Sequence, residues 1–334
     1  MDGFDKLTLP TRRMGMPVAG ASAPRLILGA AAVSLAVALA FVCRSYQLLQ
    51  LTTVVSYTIA ILGLNIVTGY SGQISLGHGA FYAIGAYVTA ILMSVYGVPY
   101  WATLPAAALV CAGFGFLIGF PASRLGGPYL ALTTFALAVA LPQLLKYPPI
   151  GRWTGGVQGL VISKPNAPSL LPVSDDQWLY LFSVGVAALM FVVAHNLLRG
   201  RIGRAMAAVR DHSLAAEAMG VNVAMIKTGA FAVSALFTGI AGSIGAIAVQ
   251  FVAPDSFSAF LSITLFVGLV VGGVASISGA IFGGLFIVFV PDIAERFSNA
   301  APSAVYGVIL IVFVCLMPLG ITGVLLGAAA SRGR

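Results

Sequence analysis

The feature that most constrains this chain is a run of 79 residues, from Ser45 to Ser123, without a single Lys, Arg, Asp or Glu. A membrane-spanning helix needs about 20 predominantly apolar residues, so this run alone can hold several crossings. Only 8% of the 334 residues are charged, whereas soluble domains carry about 25%. The sequence therefore predicts an all-α, polytopic helical membrane protein. Further charge-free runs cover 125–145, 177–198, 228–254, 256–291 and 297–331.

The lengths of the apolar stretches, and the Gly, Pro and charged residues between them, predict about ten transmembrane segments, some of them short or broken. Each piece of the pair 261–274 and 279–290 is too short to cross about 30 Å of hydrocarbon upright. Re-entrant structure is therefore an open alternative for 261–290 and for the glycine-rich 69–79. The predicted helices are 26–43, 46–68, 80–96, 100–120, 128–146, 178–198, 229–249, 261–274, 279–290 and 302–320.

The positive charges predict the orientation, since cytoplasmic loops carry an excess of Lys and Arg. With the N-terminus inside and ten crossings, twelve of the seventeen basic residues fall on the cytoplasmic side. Residues 1–25 and 324–334 are then cytoplasmic tails on one transmembrane domain, 26–323. We interpret Leu26–Cys43 as a retained first span, because no signal-peptide cleavage site follows it. The same distribution explains the net charge of +8 without a nucleic-acid partner.

Two hydrophilic segments are long enough to carry function. Segment 147–177 is predicted to be external, and its five prolines favour a fixed irregular lid more than a helix. Segment 199–228 is predicted to be cytoplasmic. Its first helix is indicated by apolar residues at helical spacing, namely Ile202, Met206 and Val209. A second helix, Leu214–Met219, is predicted to begin at N-cap side chains of residues 211–213 and to end at Gly220.

The stretch Gly69–Gly79, GYSGQISLGHG, places glycines and polar side chains within a long apolar run. Polar groups at bilayer depth are costly unless they face protein or a water-filled path. Interrupted segments in both halves of a chain are typical of a substrate path, and a second interrupted segment lies at 271–284. A role in the substrate pathway or gate is therefore predicted for eight residues: Asn65, Tyr70, Ser71, Gln73, Ser75, His78, Ser276 and Ser278.

Purely structural interpretations stay open for the same residues. Residues 69–79 could form a cytoplasmic turn with close helix packing, and Asn65 and His78 could bond to a neighbouring helix. A dinucleotide-binding loop is excluded, because Tyr82 stands where its third glycine belongs. The three histidines lie far apart in sequence, so no metal site is predicted, and no catalytic site is visible. The three cysteines are predicted to be buried structural thiols: Cys43, Cys111 and Cys315.

Residues 204–220, RAMAAVRDHSLAAEAMG, resemble the cytoplasmic coupling loop of ATP-binding-cassette importer permeases, in which Glu-Ala-Ala is followed after three residues by Gly. Here Leu stands at the Glu position, and the later Ile-x-Leu-Pro half of the pattern is absent. The small residues would give a short helix a close-approach face for an ATPase cleft, and the charged ones polar contacts at its rim. The alternative is a basic loop that only sets orientation. The resemblance assigns seven residues to the coupling loop: Arg204, Arg210, Leu214, Ala215, Ala216, Glu217 and Gly220.

Residues 62–92, LGLNIVTGYSGQISLGHGAFYAIGAYVTAIL, are similar to the N-terminal signature of permease subunits of branched-chain amino acid importers, the LivM-like family. Further similar segments follow in the order of the family, and the resemblance spans about residues 40 to 323. These segments are 126–138, 154–160, 203–223, 252–263 and 317–323.

The resemblance implies a permease subunit of an ATP-driven importer in the bacterial inner membrane, which carries branched-chain or related amino acids and is not itself an enzyme. It also implies the partners: a second related permease, two cytoplasmic ATPase subunits, an extracytoplasmic substrate-binding protein and the lipid bilayer. No cofactor is expected in this chain. ATP and Mg would be bound by the ATPases, and the chain has no Gly-Lys dipeptide and hence no phosphate-binding Walker loop.

Two alternatives to this function stay open. The same machinery could import urea, short amides or another small solute. The chain could also be an ion-coupled secondary carrier or a passive channel. A carrier normally needs an intramembrane carboxylate, and only Asp255 and Asp292 lie near the ends of the long apolar runs.

Overall fold

The computed structural model describes residues 23–122, 127–168, 172–297, 302–317 and 320–324. The predicted tails lie outside these ranges, apart from residues 23–25 and 324. A π-helical turn, Ile66–Tyr70, extends the second helix, and two short strands, β1 (Leu160–Val161) and β2 (Phe251–Val252), pair antiparallel. Within the described ranges residues 320–324 are helical, and thirteen longer α-helices precede them: α1 (Ala23–Val42), α2 (Ser45–Asn65), α3 (His78–Ser94), α4 (Tyr100–Ala122), α5 (Pro128–Leu145), α6 (Pro148–Thr154), α7 (Asp175–Arg199), α8 (Arg201–Asp211), α9 (Ser213–Ala218), α10 (Val223–Val249), α11 (Ala259–Gly272), α12 (Gly279–Phe297) and α13 (Pro302–Leu316).

The predicted all-α fold is confirmed, and each predicted transmembrane segment coincides with one of these helices. Helix α11 has only 14 residues and is about 21 Å long, so it is one of the short helices that the sequence predicts. The same prediction is wrong for 279–290, because α12 continues to Phe297 and has 19 residues. Three apolar stretches are of this shorter kind: Ala31–Val42, His78–Ser94 and Ala259–Gly272. Five are long and apolar enough to cross a membrane: Ser45–Tyr70, Tyr100–Pro121, Pro128–Leu145, Asp175–Arg199 and Val223–Val249. The full count of about ten crossings stays a prediction.

Helix α10 lies at the centre of the molecule and packs against α2, α3 and α4. Helices α2 and α10 run antiparallel, since Ser56 Oγ donates to the carbonyl of Ala241 at 2.7 Å and Ser234 Oγ donates to that of Gly63 at 2.6 Å. Small residues let these helices approach closely, as is common in membrane proteins. The core of the fold is therefore the bundle of α2, α3, α4 and α10.

Glycines bring two helix pairs into backbone contact. A Cβ on Gly85 of α3 would lie 2.1 Å from the carbonyl oxygen of Gly239 in α10, and a Cβ on Gly272 of α11 would lie 2.1 Å from that of Gly279 in α12. Real side chains do not fit at such distances, so helix packing requires glycine at both sites.

The segments α2–α3 and α10–α11 have the same arrangement of elements but run in opposite directions through the molecule. Helix α2 is followed by the non-helical residues 71–77 and the shorter α3, and α10 is followed by residues 250–258 and the shorter α11. Because α2 and α10 are antiparallel, the two connecting segments enter the interior from opposite ends. The starts of α3 and α11 meet there, where the N–H of Gly79 donates to Ser262 Oγ at 2.9 Å. Inverted repeats of this kind occur in many transporters.

The segment 147–177 lies at the end of the molecule opposite α8 and α9. Its contacts with the start of α7 are polar: the N–H of Ala167 donates to Asp175 Oδ1 at 2.7 Å, and Lys164 donates to Asp176. The prediction of an irregular segment is wrong for Pro148–Thr154, which form α6. Prolines are tolerated there because the N–H groups of the first helical turn have no partner within the helix.

The prediction of three buried thiols is confirmed only for Cys111, which donates to the carbonyl of Phe81. Cys43 is half-buried and Cys315 is exposed. Cys315 lies on α13, which among the described elements is packed mainly against α12.

Candidate functional site

The hydrophilic segment 199–228 forms α8 and α9 at one end of the molecule. Helix α8 packs inward through Met206 and Val209, which are almost fully buried. Gly203 belongs to the same face, since a Cβ there would lie 2.0 Å from a carbonyl oxygen of α7. Ile202, predicted on this face, is half exposed, because the close contact at Gly203 turns the neighbouring position outward.

The structure confirms the predicted C-terminal stop of α9 but not its predicted N-terminal cap. The predicted stop at Gly220 is confirmed: its φ is +83°, and the next N–H donates to the carbonyl of Ala216 at 3.0 Å, which completes a Schellman motif. The predicted N-cap is wrong. His212 occupies the N-cap position without a capping hydrogen bond from its side chain, and the carboxylate of Asp211 accepts from Arg210 instead.

Helix α9 and its C-cap residue expose apolar side chains that no other described part of the chain covers. Leu214 is 82% exposed and Met219 is 85% exposed. Ala216, predicted on the docking face, instead points into the molecule and is buried. Met219 lies within the predicted helix but was not among the predicted site residues. The exposed set is called the α9 surface below: Leu214, Ala215, Glu217, Met219 and Gly220.

The two arginines of α8 in the predicted coupling loop point in different directions. Arg204 is exposed, and its guanidinium donates to the carbonyl of Arg199 at 3.2 Å. Arg210 turns inward, and its Nη1 donates to the carbonyl of Gly69 at 2.9 Å. The structure therefore joins the two regions that the sequence singles out separately, the coupling loop and the glycine-rich stretch.

The second region, called the junction below, comprises residues 65–79 and 273–278. His78 is fully buried in it, with Nδ1 3.1 Å from Ser75 Oγ and Nε2 2.5 Å from Ser234 Oγ. Ser234 donates its single hydroxyl proton to the carbonyl of Gly63, so it accepts the proton of Nε2–H. Nδ1 then accepts from Ser75. A neutral imidazole therefore links α2, α3 and α10.

Asn65 connects the two halves of the junction. It is buried, its Nδ2 donates to the carbonyl of Ser276 at 2.7 Å, and its Oδ1 accepts from the N–H of Ala275 at 2.8 Å. The hydroxyls of Ser276 and Ser278 lie 3.3 Å apart, and Ser278 is exposed. Of the predicted residues in 273–278, only Ser276 therefore reaches the buried network, through its backbone.

Gln73 ties the non-helical residues 71–77 to the start of α10. Its Nε2 donates to Ser71 Oγ at 2.9 Å and to the carbonyl of Lys227 at 3.2 Å. Ser71 and Gln73 are buried, and Tyr70 is half-buried. Non-helical backbone is tolerated at membrane depth when its polar groups are satisfied within the protein, and these side chains supply such partners.

The geometry of the junction is that of a connector between helices. It contains all eight predicted pathway residues, six of them from Asn65 to His78, and it is bonded by Ser234, a partner that the sequence did not indicate. A pathway role for these residues stays a prediction. Among the residues that the structure describes, no three His, Cys, Asp or Glu side chains are placed to hold a metal ion.

Comparisons with known proteins give one consistent family. A family model described as the permease component of branched-chain amino acid transport systems matches residues 46–317. The chain is 34% identical to the high-affinity branched-chain amino acid transport system permease protein LivM of Salmonella typhimurium over 289 residues, which cover 79% of this chain and 67% of the relative. LivM of Escherichia coli is 33% identical over the same shares. The corresponding LivH protein of Salmonella typhimurium is 26% identical over 80% of this chain and 91% of the relative. No solved structure matches the chain.

Proposed function

Because this chain belongs to the family of permease components of branched-chain amino acid transport systems, we propose that it is the transmembrane permease subunit of an ATP-driven importer of branched-chain or related amino acids. The importer lies in the bacterial inner membrane, with both termini and the α8–α9 end in the cytoplasm. This chain supplies part of the path across the membrane. Separate subunits bind ATP and Mg and carry out the hydrolysis.

The observation that carries this proposal is the α9 surface. Leu214 and Met219 are almost fully exposed on a short helix within a segment that also contains Arg199, Arg201 and Arg204. Large apolar side chains on such a hydrophilic segment are typical of a protein contact. An ATPase subunit with an apolar cleft would cover them, whereas a passive channel or a secondary carrier has no need of such a partner.

The fold supplies a route by which a moving α9 can act on the membrane domain. Helix α8 joins α9 to α7, and Arg210 joins α8 to the junction. The junction in turn contacts the starts of α3 and α10. ATP-driven displacement of α8 and α9 would shift these helix starts, and the inverted repeat would let the interior open alternately to the two ends.

The carboxylates at the ends of the apolar runs favour ATP over an ion gradient as the energy source. Asp255 pairs with Lys146 at 2.5 Å, and Asp292 accepts from Gln50 Nε2 at 2.5 Å. An ion-coupled carrier normally relies on an intramembrane carboxylate that is free to bind the ion. Both of these carboxylates have a protein partner.

Partners are proposed from the relatives and the orientation. The chain is similar both to proteins named LivM and to proteins named LivH, and we expect it to pair with a second, related permease. Two ATPase subunits would bind the α8–α9 end of the permease pair. A substrate-binding protein would deliver the amino acid to the opposite end, where the segment 147–177 lies.

Uptake of labelled solutes tests the proposed function. Cells that lack this chain, and the same cells with the chain restored, are compared for uptake of leucine, urea and a sugar. We expect restoration of leucine uptake alone, and co-purification of a nucleotide-hydrolysing partner with the restored chain. Restored urea uptake without leucine uptake would assign the machinery to another solute. If uptake of none of the three depends on the chain, the proposed substrate class is wrong.

A further inference from the structure

Arg210 is held within its own chain at the point where α2 ends. Its Nη1 donates to the carbonyl of Gly69 at 2.9 Å, and its Nε donates to Asp211 Oδ1 at 3.0 Å. Its side chain is 33% exposed. Gly72 lies directly under its methylene groups, since a Cβ there would be 2.7 Å from Cγ of Arg210. Two of the five N–H donors of the guanidinium are thereby bonded within the chain, and one of them holds the backbone of the junction.

The carbonyl of Gly69 is one of the groups that a helix leaves unpaired at its C-terminus. The π-helical turn ends at Tyr70, and the next two backbone bonds run from Ser71 to Ile66 and from Gln73 to Val67. A cationic side chain is favoured at this position, both as a hydrogen-bond donor and by the negative end of the helix dipole. Arg210 therefore caps α2 from another helix.

Gly69 also lies directly against the second half of the junction. A Cβ on Gly69 would lie 2.6 Å from the backbone nitrogen of Ala275 and 2.1 Å from Oδ1 of Asn65. Asn65 holds residues 275 and 276 by two hydrogen bonds. A displacement of the Gly69 carbonyl cannot be absorbed by free space, so it passes to residues 273–278 and to the non-helical residues 71–77.

From this geometry we propose that Arg210 is a positioning residue that couples movement of α8 and α9 to the junction, instead of a contact to the ATPase. The inference rests on the proposed function, because it assigns a role within the same ATP-driven cycle. Arg210 makes no contact with substrate in this role. Its hydrogen bond to the carbonyl of Gly69 makes the C-terminal end of α2 move together with α8.

The test uses the full importer, reconstituted in proteoliposomes with its ATPases and binding protein, and measures leucine transported per ATP hydrolysed. Arg210→Ala is expected to lower this ratio about tenfold, the scale of a typical coupling free energy, while the ATPases still co-purify. Arg210→Lys, which keeps a cationic donor, should restore part of the ratio. Arg201→Ala is the matched control, because it removes an exposed arginine from the opposite end of the same helix, and it should leave the ratio unchanged.

A disulfide supplies a second test that does not depend on the alanine variant folding well. A Cβ at position 72 would lie 3.4 Å from Cβ of Arg210, close to the separation of about 3.5–4.5 Å in disulfides. The double variant Gly72→Cys with Arg210→Cys is made in a chain whose three native cysteines are replaced by serine. Gly72→Cys alone is the reference, because Gly72 has a φ of +72° and a side chain there strains the backbone. We expect a low transport ratio in the reduced protein and a restored ratio after oxidation, since the covalent link replaces the hydrogen bond.

Three results would overturn the inference. They are an unchanged ratio in Arg210→Ala, loss of ATPase co-purification in that variant, and a formed disulfide that does not change the ratio. Failure of the proposed function has a different signature, because the unsubstituted chain would then show no ATP-dependent leucine transport.

Discussion

Replacing His78 by alanine separates a connector role from a pathway role. His78 is fully buried and bonds Ser75 and Ser234 on two other parts of the fold. The substitution leaves the Ser75 hydroxyl without its acceptor and Ser234 without its donor, and it opens a cavity where the ring was. If His78 connects helices, all three effects lower the stability of the protein. If His78 lines the pathway, its loss changes the KM for the substrate.

The expected loss of stability follows from these contacts. Leaving a buried polar group unsatisfied costs about 1–3 kcal/mol in water-soluble proteins, but hydrogen bonds between membrane helices contribute only about 0.6 kcal/mol on average. Large-to-small substitutions in a packed core cost about 2–5 kcal/mol. Since the cavity dominates, we expect His78→Ala to lower the free energy of unfolding by roughly 2–4 kcal/mol. Ser75→Ala removes the hydrogen bond to His78 and a longer one from the N–H of Gly77 but little volume, and it should cost only about 1 kcal/mol.

Unfolding in mixed micelles of mild detergent and dodecyl sulfate measures this difference. His212→Ala is the matched control, because His212 is exposed on the same chain and its loss should change the unfolding free energy by less than about 0.5 kcal/mol. Transport is measured per folded molecule in parallel. An unchanged stability of His78→Ala, together with a several-fold rise in the KM for leucine, would refute the connector interpretation and support the pathway prediction.

Two further predictions concern the α9 surface and the helix packing. Leu214→Asp combined with Met219→Asp should reduce ATPase co-purification at least tenfold, since burying one large apolar side chain contributes about 1.5–3 kcal/mol. The control Ser213→Asp adds a charge to the same helix and should have little effect. Co-purification at the normal level in the double variant would exclude this docking surface. Gly85→Ala should destabilise the protein by about 1–3 kcal/mol or more, because its Cβ would meet a carbonyl oxygen at 2.1 Å. Gly113→Ala, with nothing within 4 Å of the added Cβ, should be neutral, and equal melting temperatures of the two variants would contradict the packing.

The sequence predicted the helices well, because one physical constraint dominates them. A charge-free run such as Ser45–Ser123 can satisfy its backbone in a bilayer only as helices, and Gly and Pro residues then indicate where each helix ends. The interruption of the membrane segments near 69–79 and 271–284 was predicted for the same reason. Both sites proved to be non-helical, at 71–77 and 273–278.

The side-chain partners at the junction could not be predicted from one sequence. His78 bonds Ser234, which is 156 positions away, and Arg210 bonds the carbonyl of Gly69, which is 141 positions away. Such pairs depend on how the helices pack, and periodicity within a single helix carries no information about them. The sequence therefore predicted polar residues that matter without predicting which groups they bind.

The orientation of α9 shows a second limit. Ala215 and Ala216 are chemically identical, so sequence could not show that Ala216 is buried while its neighbour is exposed. Helix α9 has only six residues, which is too short for hydrophobic periodicity to define an inward face. Its direction is set by the Schellman motif at Gly220 and by the preceding α8.

The most direct test of the proposed function is leucine uptake into proteoliposomes that contain this chain, its partner permease and the ATPases. ATP is supplied on the side of α8 and α9, and the loaded binding protein is supplied on the opposite side. We predict uptake that requires both ATP and the ATPases, and that stops when a non-hydrolysable ATP analogue replaces ATP. Leucine uptake by the permeases alone, without ATP, would contradict an ATP-driven importer and identify a carrier or channel.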